Sequence, residues 1–261
     1  MIRLIASDMD GTLLDSQRRM PPDFDEMMAK LYEREIHFAV ASGRSYATLK
    51  EQFQDYLEEL IFICDNGAYI VYQQELIGLS LMLEEDLREL IQVCRSFDGK
   101  LLLCGMHGTY HEYFGTEEAE EEVNHYYVNQ VLVEDNTTVE DGVFKIALYD
   151  EKGAQEHAYP ILKKQFKDRF TMQISGKNWI DIMNTGVNKG TGLCRIQEKL
   201  GILPEETMAF GDYMNDYELL LQAKESFAMA NAHEDLKKVA AHIARSNDEQ
   251  GVMEAIREYV L

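Results

Sequence analysis

The sequence predicts an α/β fold, a Rossmann-like doubly wound parallel sheet that carries an inserted α+β module. Strands and helices alternate over the first 64 residues, and the same alternation returns after residue 186. Between these stretches, several segments alternate polar and apolar residues in the manner of antiparallel strands. We therefore predict a core domain over 1–81 and 185–261, interrupted by a module over 82–184.

The first part of the core domain has the order strand, helix, strand, helix, strand, which implies right-handed crossovers and a parallel sheet. Each predicted strand is a short apolar run, and each predicted helix has apolar residues at helical spacing. Strands are predicted over 2–6, 36–41 and 60–64, helices over 23–34 and 46–57, and a hairpin over 68–72 and 76–80. After the module, strands are predicted over 208–210, 226–229 and 242–244, and helices over 189–200, up to 223, 234–241 and 251–259.

The module is predicted to contain both helices and antiparallel strands. The helices are expected over 82–97 and 154–166, and the strands over 101–104, 109–114, 143–149, 171–175 and 179–183. The acidic run 116–122 is expected to be a solvated helix or loop. Trp179, the only tryptophan, is predicted to pack in a core. His107, His111 and His125 lack the spacing of metal ligands, so no role is assigned to them.

Composition excludes several classes of partner. The formal net charge is −22, from 25 basic and 47 acidic residues, which argues against binding a nucleic-acid backbone or an anionic membrane. The four cysteines form no C-x-x-C pair, which favours reduced thiols over zinc or disulfides. The chain begins directly with a strand, without a basic segment or long apolar run, and we expect a cytoplasmic protein. No pattern indicates an oligomeric state.

Polar residues follow the predicted strands where each strand ends. They are Asp8 and Asp10, Ser42, Asp65 and Asn66, and Asp212 and Asp216, with Lys189 opening the helix that returns to the sheet. Taken singly, D-x-D-G would be a turn in which Gly11 allows a tight bend, S-G-R a helix cap, and Lys189 a surface lysine. Because ligands bind at the carboxyl ends of parallel strands, their coincidence instead predicts a site for a divalent cation and a phosphoryl group.

These motifs resemble a known family. D-x-D-G-T-L-L at 8–14, S-G-R at 42–44, N-K-G at 188–190 and G-D-x-x-N-D at 211–216 resemble the haloacid dehalogenase-like phosphohydrolases. The long insertion, preceded by D-N-G-A at 65–68, is similar to that of the Cof-type branch, which carries a large α+β cap. The tail segments 228–232 and 246–252 also resemble that branch.

The resemblance implies a role for each matching residue. Asp8 would be the nucleophile that forms an aspartyl-phosphate, and Asp10 the acid and base that protonates the leaving alcohol and then deprotonates water. Ser42, Gly43 and Lys189 would hold the phosphoryl group. The implied ligands of Mg²⁺ are the carboxylates of Asp8 and Asp212 and the backbone carbonyl of Asp10. Gly11, Arg44, Asn66, Asn215 and Asp216 would support the site, and Arg44 could either add charge there or pair with a core acid.

We therefore expect a Mg²⁺-dependent phosphatase acting on a small phosphorylated metabolite, such as a sugar phosphate. A phosphomutase or phosphotransferase using the same intermediate is an alternative, and so is a non-catalytic protein that binds a phosphate ligand. Tyr213 stands where the branch often has Asn, which leaves the geometry of the acidic loop open. In the module, Lys145, Lys177, Asn178 and Tyr110 are candidates for substrate selection, although exposure to solvent is favoured for each.

Overall fold

The computed structural model describes residues 1–117, 120, 121, 123, 127 and 129–261. The chain divides into two compact units, one over 1–78 and 188–261 and the other over 79–187. The domain boundaries predicted above fall between residues 81 and 82 and between residues 184 and 185. Part of the acidic run 116–122, and also His125, lie outside the described residues. Among the described residues, no helix is both long enough and apolar enough to cross a membrane.

Strands and helices alternate along much of the chain. The strands are β1 (Leu4–Ser7), β2 (His37–Ala41), β3 (Leu60–Cys64), β4 (Tyr69–Tyr72), β5 (Glu75–Leu79), β6 (Lys100–Gly105), β7 (Thr109–His111), β8 (Gln130–Leu132), β9 (Val143–Tyr149), β10 (Phe170–Ile174), β11 (Trp179–Asn184), β12 (Thr207–Gly211), β13 (Glu225–Met229) and β14 (His242–Ala244). The helices described from end to end are α1 (Phe24–Glu33), α2 (Tyr46–Gln52), α3 (Glu84–Arg95), α4 (Tyr159–Phe166), α5 (Lys189–Leu200), α6 (Tyr217–Leu221), α7 (Glu234–Lys237) and α8 (Gly251–Tyr259).

The first unit is built on a sheet with the strand order β14-β13-β12-β1-β2-β3-β4-β5. β1 lies between β2 and β12 and is parallel to both, with Ala6 opposite Ala39 and Ala209. β4 turns back antiparallel to β3, and β5 follows it at the edge of the sheet. Every residue of β1, β3 and β12 is buried, which is the pattern of a parallel sheet covered on both faces. The predicted fold class is confirmed.

Two predicted helices are less regular than their apolar spacing indicated. The helix expected over 46–57 ends at Gln52, and a 3₁₀ turn follows over Gln54–Tyr56. The helix expected over 154–166 begins as a π-helical turn over Ala154–Ala158 and becomes α-helical from Tyr159. Pro160 lies in the first turn of the α-helical segment and has no N–H to donate to the π-helical turn before it. Such departures come from local hydrogen bonding, which periodicity does not report.

The second unit has a sheet with the order β10-β11-β9-β6-β7-β8. One face packs under α3 and α4 through Leu103, Ile146 and Ile180. The opposite face carries a smaller cluster of buried apolar residues that includes Trp179. The prediction that Trp179 packs in a core is confirmed. β8 was not predicted, because it is only three residues long and has no buried residue. It pairs in parallel with β7.

A close backbone approach joins the end of β3 to the start of α5. Gly67 ends the short 3₁₀ turn after β3 and has φ +96°. A Cβ at this position would lie 2.2 Å from the carbonyl oxygen of Asn188, the N-cap residue of α5. Only glycine therefore permits this contact, and the contact fixes where Lys189 enters the sheet edge.

We expect Gly67→Ala to lower the free energy of unfolding by about 3 kcal/mol or more, because it adds a steric clash to the cost of a positive φ. Gly201→Ala is the matched control, since Gly201 has φ +62° and nothing within 4 Å of an added Cβ. The control should lose only about 1 kcal/mol. Urea unfolding of both variants measures the difference, and equal losses would show that the clash is relieved by a small shift.

Candidate active site

Asp8 lies directly after β1, at the carboxyl edge of the parallel sheet. Its amide donates to the carbonyl of Phe210 on β12 (3.1 Å), so the turn after β1 is tied to the neighbouring strand. The residue is only 6% exposed. Burial raises its pKa well above the usual value, Lys189 opposes that rise, and Asp216 and Asp212 add to it. Asp8 is thus a buried acid whose charge depends on a nearby cation.

Lys189 supplies that cation from the first residue of α5. Its Nζ donates to Asp8 Oδ1 and to Asp216 Oδ1, both at 2.6 Å, and the side chain is fully buried. Burial alone would lower its pKa, but the carboxylates of Asp216 and Asp8 outweigh burial and raise it. The helix is fixed at this end by Asn188, whose side chain accepts from the amide of Thr191 (2.8 Å). The interpretation of Lys189 as a surface lysine is therefore wrong.

Asp216 closes the loop that follows β12. Its Oδ2 accepts from the amides of Asp212 (3.0 Å) and Tyr213 (3.2 Å), while its Oδ1 accepts from Lys189. Tyr213 contributes its backbone to this closure, and its side chain is exposed, with its ring edge-on to His233. The loop is therefore closed through backbone amides, without the side chain of Tyr213.

Asp212 completes an acidic cluster beside the D-x-D-G turn. The Thr12 hydroxyl donates to its Oδ1 (3.3 Å), and a Cβ on Gly11 would lie 2.3 Å from its Oδ2. Gly11, at φ +80°, therefore leaves the space that the Asp212 carboxylate fills. Burial first and Asp216 second raise the pKa of Asp212 to about 6.

The residues present fit a divalent cation. Asp8, Asp212 and Asp216 each offer a carboxylate oxygen, and these oxygens lie within 4.8 Å of one another. Carboxylate oxygens are the ligands that Mg²⁺ favours in proteins. Both oxygens of Asp216 already accept hydrogen bonds, so Asp8 and Asp212 are the better direct ligands. This geometry brings together two of the three predicted metal ligands.

The carboxylate of Asp10 pairs with Arg44 and does not belong to the acidic cluster of Asp8, Asp212 and Asp216. Arg44 donates to it twice, Nε to Oδ2 at 2.9 Å and Nη2 to Oδ1 at 2.6 Å. The acid that Arg44 pairs with is the exposed site residue Asp10 and not a core acid, so its charge lies at the predicted site. The predicted metal contact of Asp10 concerned its backbone carbonyl, which this ion pair leaves unaffected. Ser42 is buried at the end of β2, and its hydroxyl accepts from the amide of Arg44 (3.1 Å).

Asn66 and Asn215 link two of the loops that form the edge. Asn215 Nδ2 lies 3.4 Å from Asn66 Oδ1, and the amide of Asn66 donates to the carbonyl of Ser42 (3.0 Å). Asn66 has φ +53°, a strained conformation for a non-glycine residue. A Cβ on Gly43 would lie 3.3 Å from the side-chain nitrogen Nδ2 of Asn66. The predicted supporting residues Asn66 and Asn215 are thus in contact with each other.

Two asparagines donate hydrogen bonds to backbone carbonyls of the D-x-D-G turn and the residues that follow it. Sequence reasoning had assigned them no role. Asn231 Nδ2 donates to the carbonyl of Gly11 (2.8 Å), and Asn247 Nδ2 donates to the carbonyl of Leu14 (2.9 Å). The amide of Asn247 also donates to Asn231 Oδ1 (3.1 Å). Both residues follow strands, β13 and β14, so the rule that ligands gather at strand ends could have found them.

The candidates in the second unit have different environments. Lys145 is 1% exposed, with Nζ 3.8 Å from Asp181 Oδ2, so the expectation that it is solvated is wrong. Burial raises the pKa of Asp181, and Lys145 opposes the rise. The Tyr110 hydroxyl donates to Asp141 Oδ2 (3.1 Å), while Lys177 is exposed, as expected.

The raised pKa of Asp212 makes stability depend on pH. An acid with a higher pKa in the folded chain stabilises the fold while it is protonated, and this contribution is lost as the pH rises through the folded pKa. With a chelator present, we expect the free energy of unfolding of the wild type, relative to Asp212→Asn, to fall between about pH 4 and about pH 6. Urea unfolding at several pH values measures this, and parallel profiles for the two proteins would contradict it.

Known proteins share both this sequence pattern and this fold. A sequence profile of the haloacid dehalogenase-like hydrolases matches residues 5–256. A 5-amino-6-(5-phospho-D-ribitylamino)uracil phosphatase of Escherichia coli is 29% identical, over 98% of this chain and 95% of its own. A solved structure from Streptococcus mutans is 31% identical with a TM-score of 0.90, over 100% of this chain and 99% of its own.

A sugar phosphatase of subclass IIB shares the fold over 98% of both chains, with a TM-score of 0.83 at 23% identity. The profile match extends from β1 to α8 and therefore includes every strand end described above. The chain belongs to the haloacid dehalogenase-like hydrolases, a family of phosphoric monoester hydrolases.

Proposed function

We propose that this chain is a Mg²⁺-dependent phosphatase that hydrolyses a small phosphorylated metabolite through an aspartyl-phosphate on Asp8. The observation that carries the proposal is the buried ion pair of Lys189 with Asp8, 2.6 Å long, beside the carboxylates of Asp212 and Asp216. The ammonium group favours the ionised form of the nucleophile against the effect of burial, and it lies where phosphoryl oxygens would gather negative charge. Preorganised charge of this kind is the main requirement of phosphoryl transfer.

The residues can be assigned roles in the two chemical steps of hydrolysis. In the first, a carboxylate oxygen of Asp8 attacks phosphorus, the bond to the leaving oxygen breaks, and Asp10 gives that oxygen a proton. In the second, water attacks the same phosphorus and passes a proton to Asp10, and the bond to Asp8 breaks to release inorganic phosphate. Ser42 and Lys189 hold the phosphoryl oxygens through both steps.

Mg²⁺, when bound, offsets the negative charge of the phosphoryl group and of the carboxylates around it. Asp8 and Asp212 would hold the ion together with the backbone carbonyl of Asp10. Asp216 would act indirectly, since its oxygens fix Lys189 and the amides of the acidic loop. Gly11 keeps the space beside Asp212 open.

The names of related phosphatases supply the first substrates to test. The relative from Escherichia coli is a phosphatase of 5-amino-6-(5-phospho-D-ribitylamino)uracil, and the subclass IIB neighbour is a sugar phosphatase. We therefore propose a screen of that ester, sugar phosphates and other phosphorylated metabolites, with release of inorganic phosphate as the readout. Activity should require Mg²⁺ and stop with a chelator. Failure on the whole panel in the presence of Mg²⁺, or full activity in chelator, would overturn the proposal.

A further inference from the structure

The guanidinium group of Arg44 grips the carboxylate of Asp10 on both oxygens. Nε and Nη2 donate along one edge of the guanidinium plane, at 2.9 and 2.6 Å. A two-point contact between planar groups fixes the carboxylate's rotation as well as its position. The Asp10 side chain is 50% exposed, so without this contact it could turn freely in solvent.

Arg44 is itself held at three other points. Its Nη1 donates to Gln52 Oε1 at 2.9 Å, from the last residue of α2. Its amide donates to Ser42 Oγ (3.1 Å), and its carbonyl accepts from the amide of Asp65 (3.0 Å). The Asp10 carboxylate is therefore connected, through Arg44, to a helix and to the loops after β2 and β3.

We propose that Arg44 and Gln52 are positioning residues that hold the carboxyl group of Asp10 in the orientation from which its protonated form gives a proton to the leaving oxygen. This inference rests on the proposed function, in which Asp10 is that proton donor. Gln52 is exposed, at the end of a seven-residue helix, and no motif marks it. It acts on the reaction only through Arg44, and Arg44 acts through Asp10.

Esters with different leaving groups separate this role from a merely structural one. An alkyl phosphate needs a proton on its leaving oxygen, whereas an activated aryl phosphate such as p-nitrophenyl phosphate does not. The quantity to compare is kcat/KM, because it covers only the steps up to phosphoryl transfer to Asp8. Asp10→Asn serves as the benchmark for complete loss of the proton donor.

We expect Arg44→Met to lower kcat/KM for the alkyl ester by about 10- to 100-fold, and for the aryl ester by about threefold or less. Gln52→Leu should lower it about fivefold for the alkyl ester only, the cost of one hydrogen bond. Gln52→Glu keeps an acceptor for Nη1 and should restore the wild-type ratio. Arg19→Met is the matched control, because Arg19 pairs with Asp15 in the next loop and should leave both rates unchanged.

Other results would overturn the inference. Equal losses on both esters with a higher KM would mean that Arg44 binds the phosphoryl group. Faster hydrolysis of the alkyl ester by Arg44→Met would mean that the ion pair hinders proton transfer from Asp10. If Arg44→Met does not fold, the exposed Gln52 variants decide alone, and an unchanged ratio in Gln52→Leu overturns the role of Gln52. If the wild type hydrolyses none of the esters, the proposed function itself is overturned. That failure differs from failure of the present inference, in which the wild type is active and its rates can be compared with those of the variants.

Discussion

Asp8→Asn is expected to lower phosphatase turnover by about a thousandfold or more, while the protein stays folded. Asparagine has nearly the same shape as aspartate, but its neutral amide is a poor nucleophile for phosphorus. Lys189 keeps its second partner, Asp216, at 2.6 Å, so the buried ammonium is still paired. Steady-state rates on the best ester from the screen measure the loss, and full activity would show that Asp8 is not the nucleophile.

The stability of the same variant provides an independent check. Because burial raises the pKa of Asp8 well above its usual value, ionised Asp8 opposes folding in the metal-free protein at neutral pH. We therefore expect Asp8→Asn to keep or raise Tm when a chelator is present. Asp15→Asn is the matched control, since Asp15 lies near the same turn, pairs with Arg19, and should leave turnover within about twofold. A large drop in Tm for Asp8→Asn would assign the lost activity to unfolding.

The fold could be predicted because each core strand is a short apolar run followed by a polar turn. β3, β9 and β14 begin and end where the pattern places them. Helix ends were harder to predict, because they depend on hydrogen bonds that have no periodic signal. The predicted helix 234–241 ends at Lys237, and less regular backbone leads from there to β14. β8 escaped prediction because it is only three residues long, although Val131 and Leu132 are apolar.

The candidate site was predictable in its membership more than in its contacts. Strand ends bring polar residues to one edge of a parallel sheet, and that rule located Asp8, Ser42 and Asp212. It does not say which charges pair. The pairing of Lys189 with both Asp8 and Asp216, and of Arg44 with Asp10, depends on side-chain reach in three dimensions.

Lys145 shows where sequence reasoning fails. A lysine in a strand is nearly always exposed at its tip, because burying an ammonium group without a partner is costly. In the structure Lys145 is buried with Asp181, which lies 36 positions later on the adjacent strand β11. Only the register between β9 and β11 brings the two together, and a single sequence does not reveal that register.

Lys189→Met is expected to lower both phosphatase activity and stability. Activity should fall by about a thousandfold or more, because the group that holds the phosphoryl oxygens is lost. The free energy of unfolding should fall by about 3–5 kcal/mol at neutral pH, because Asp8 and Asp216 are left buried without their cation. Lys237→Met, which removes an exposed i,i+3 pair with Glu234, should cost less than about 1 kcal/mol.

The pH dependence of this loss identifies its cause. If the loss comes from an unpaired buried carboxylate, it should shrink as the pH falls, because protonation of Asp8, whose pKa burial already raises, removes that charge. Adding Asp216→Asn to Lys189→Met should cost less than the sum of the two single variants, since one substitution removes the charge that the other leaves unpaired. Additive losses, or a loss independent of pH, would instead indicate that Lys189 matters for packing. In that case, the charge balance from which the proposed function was argued would have to be abandoned.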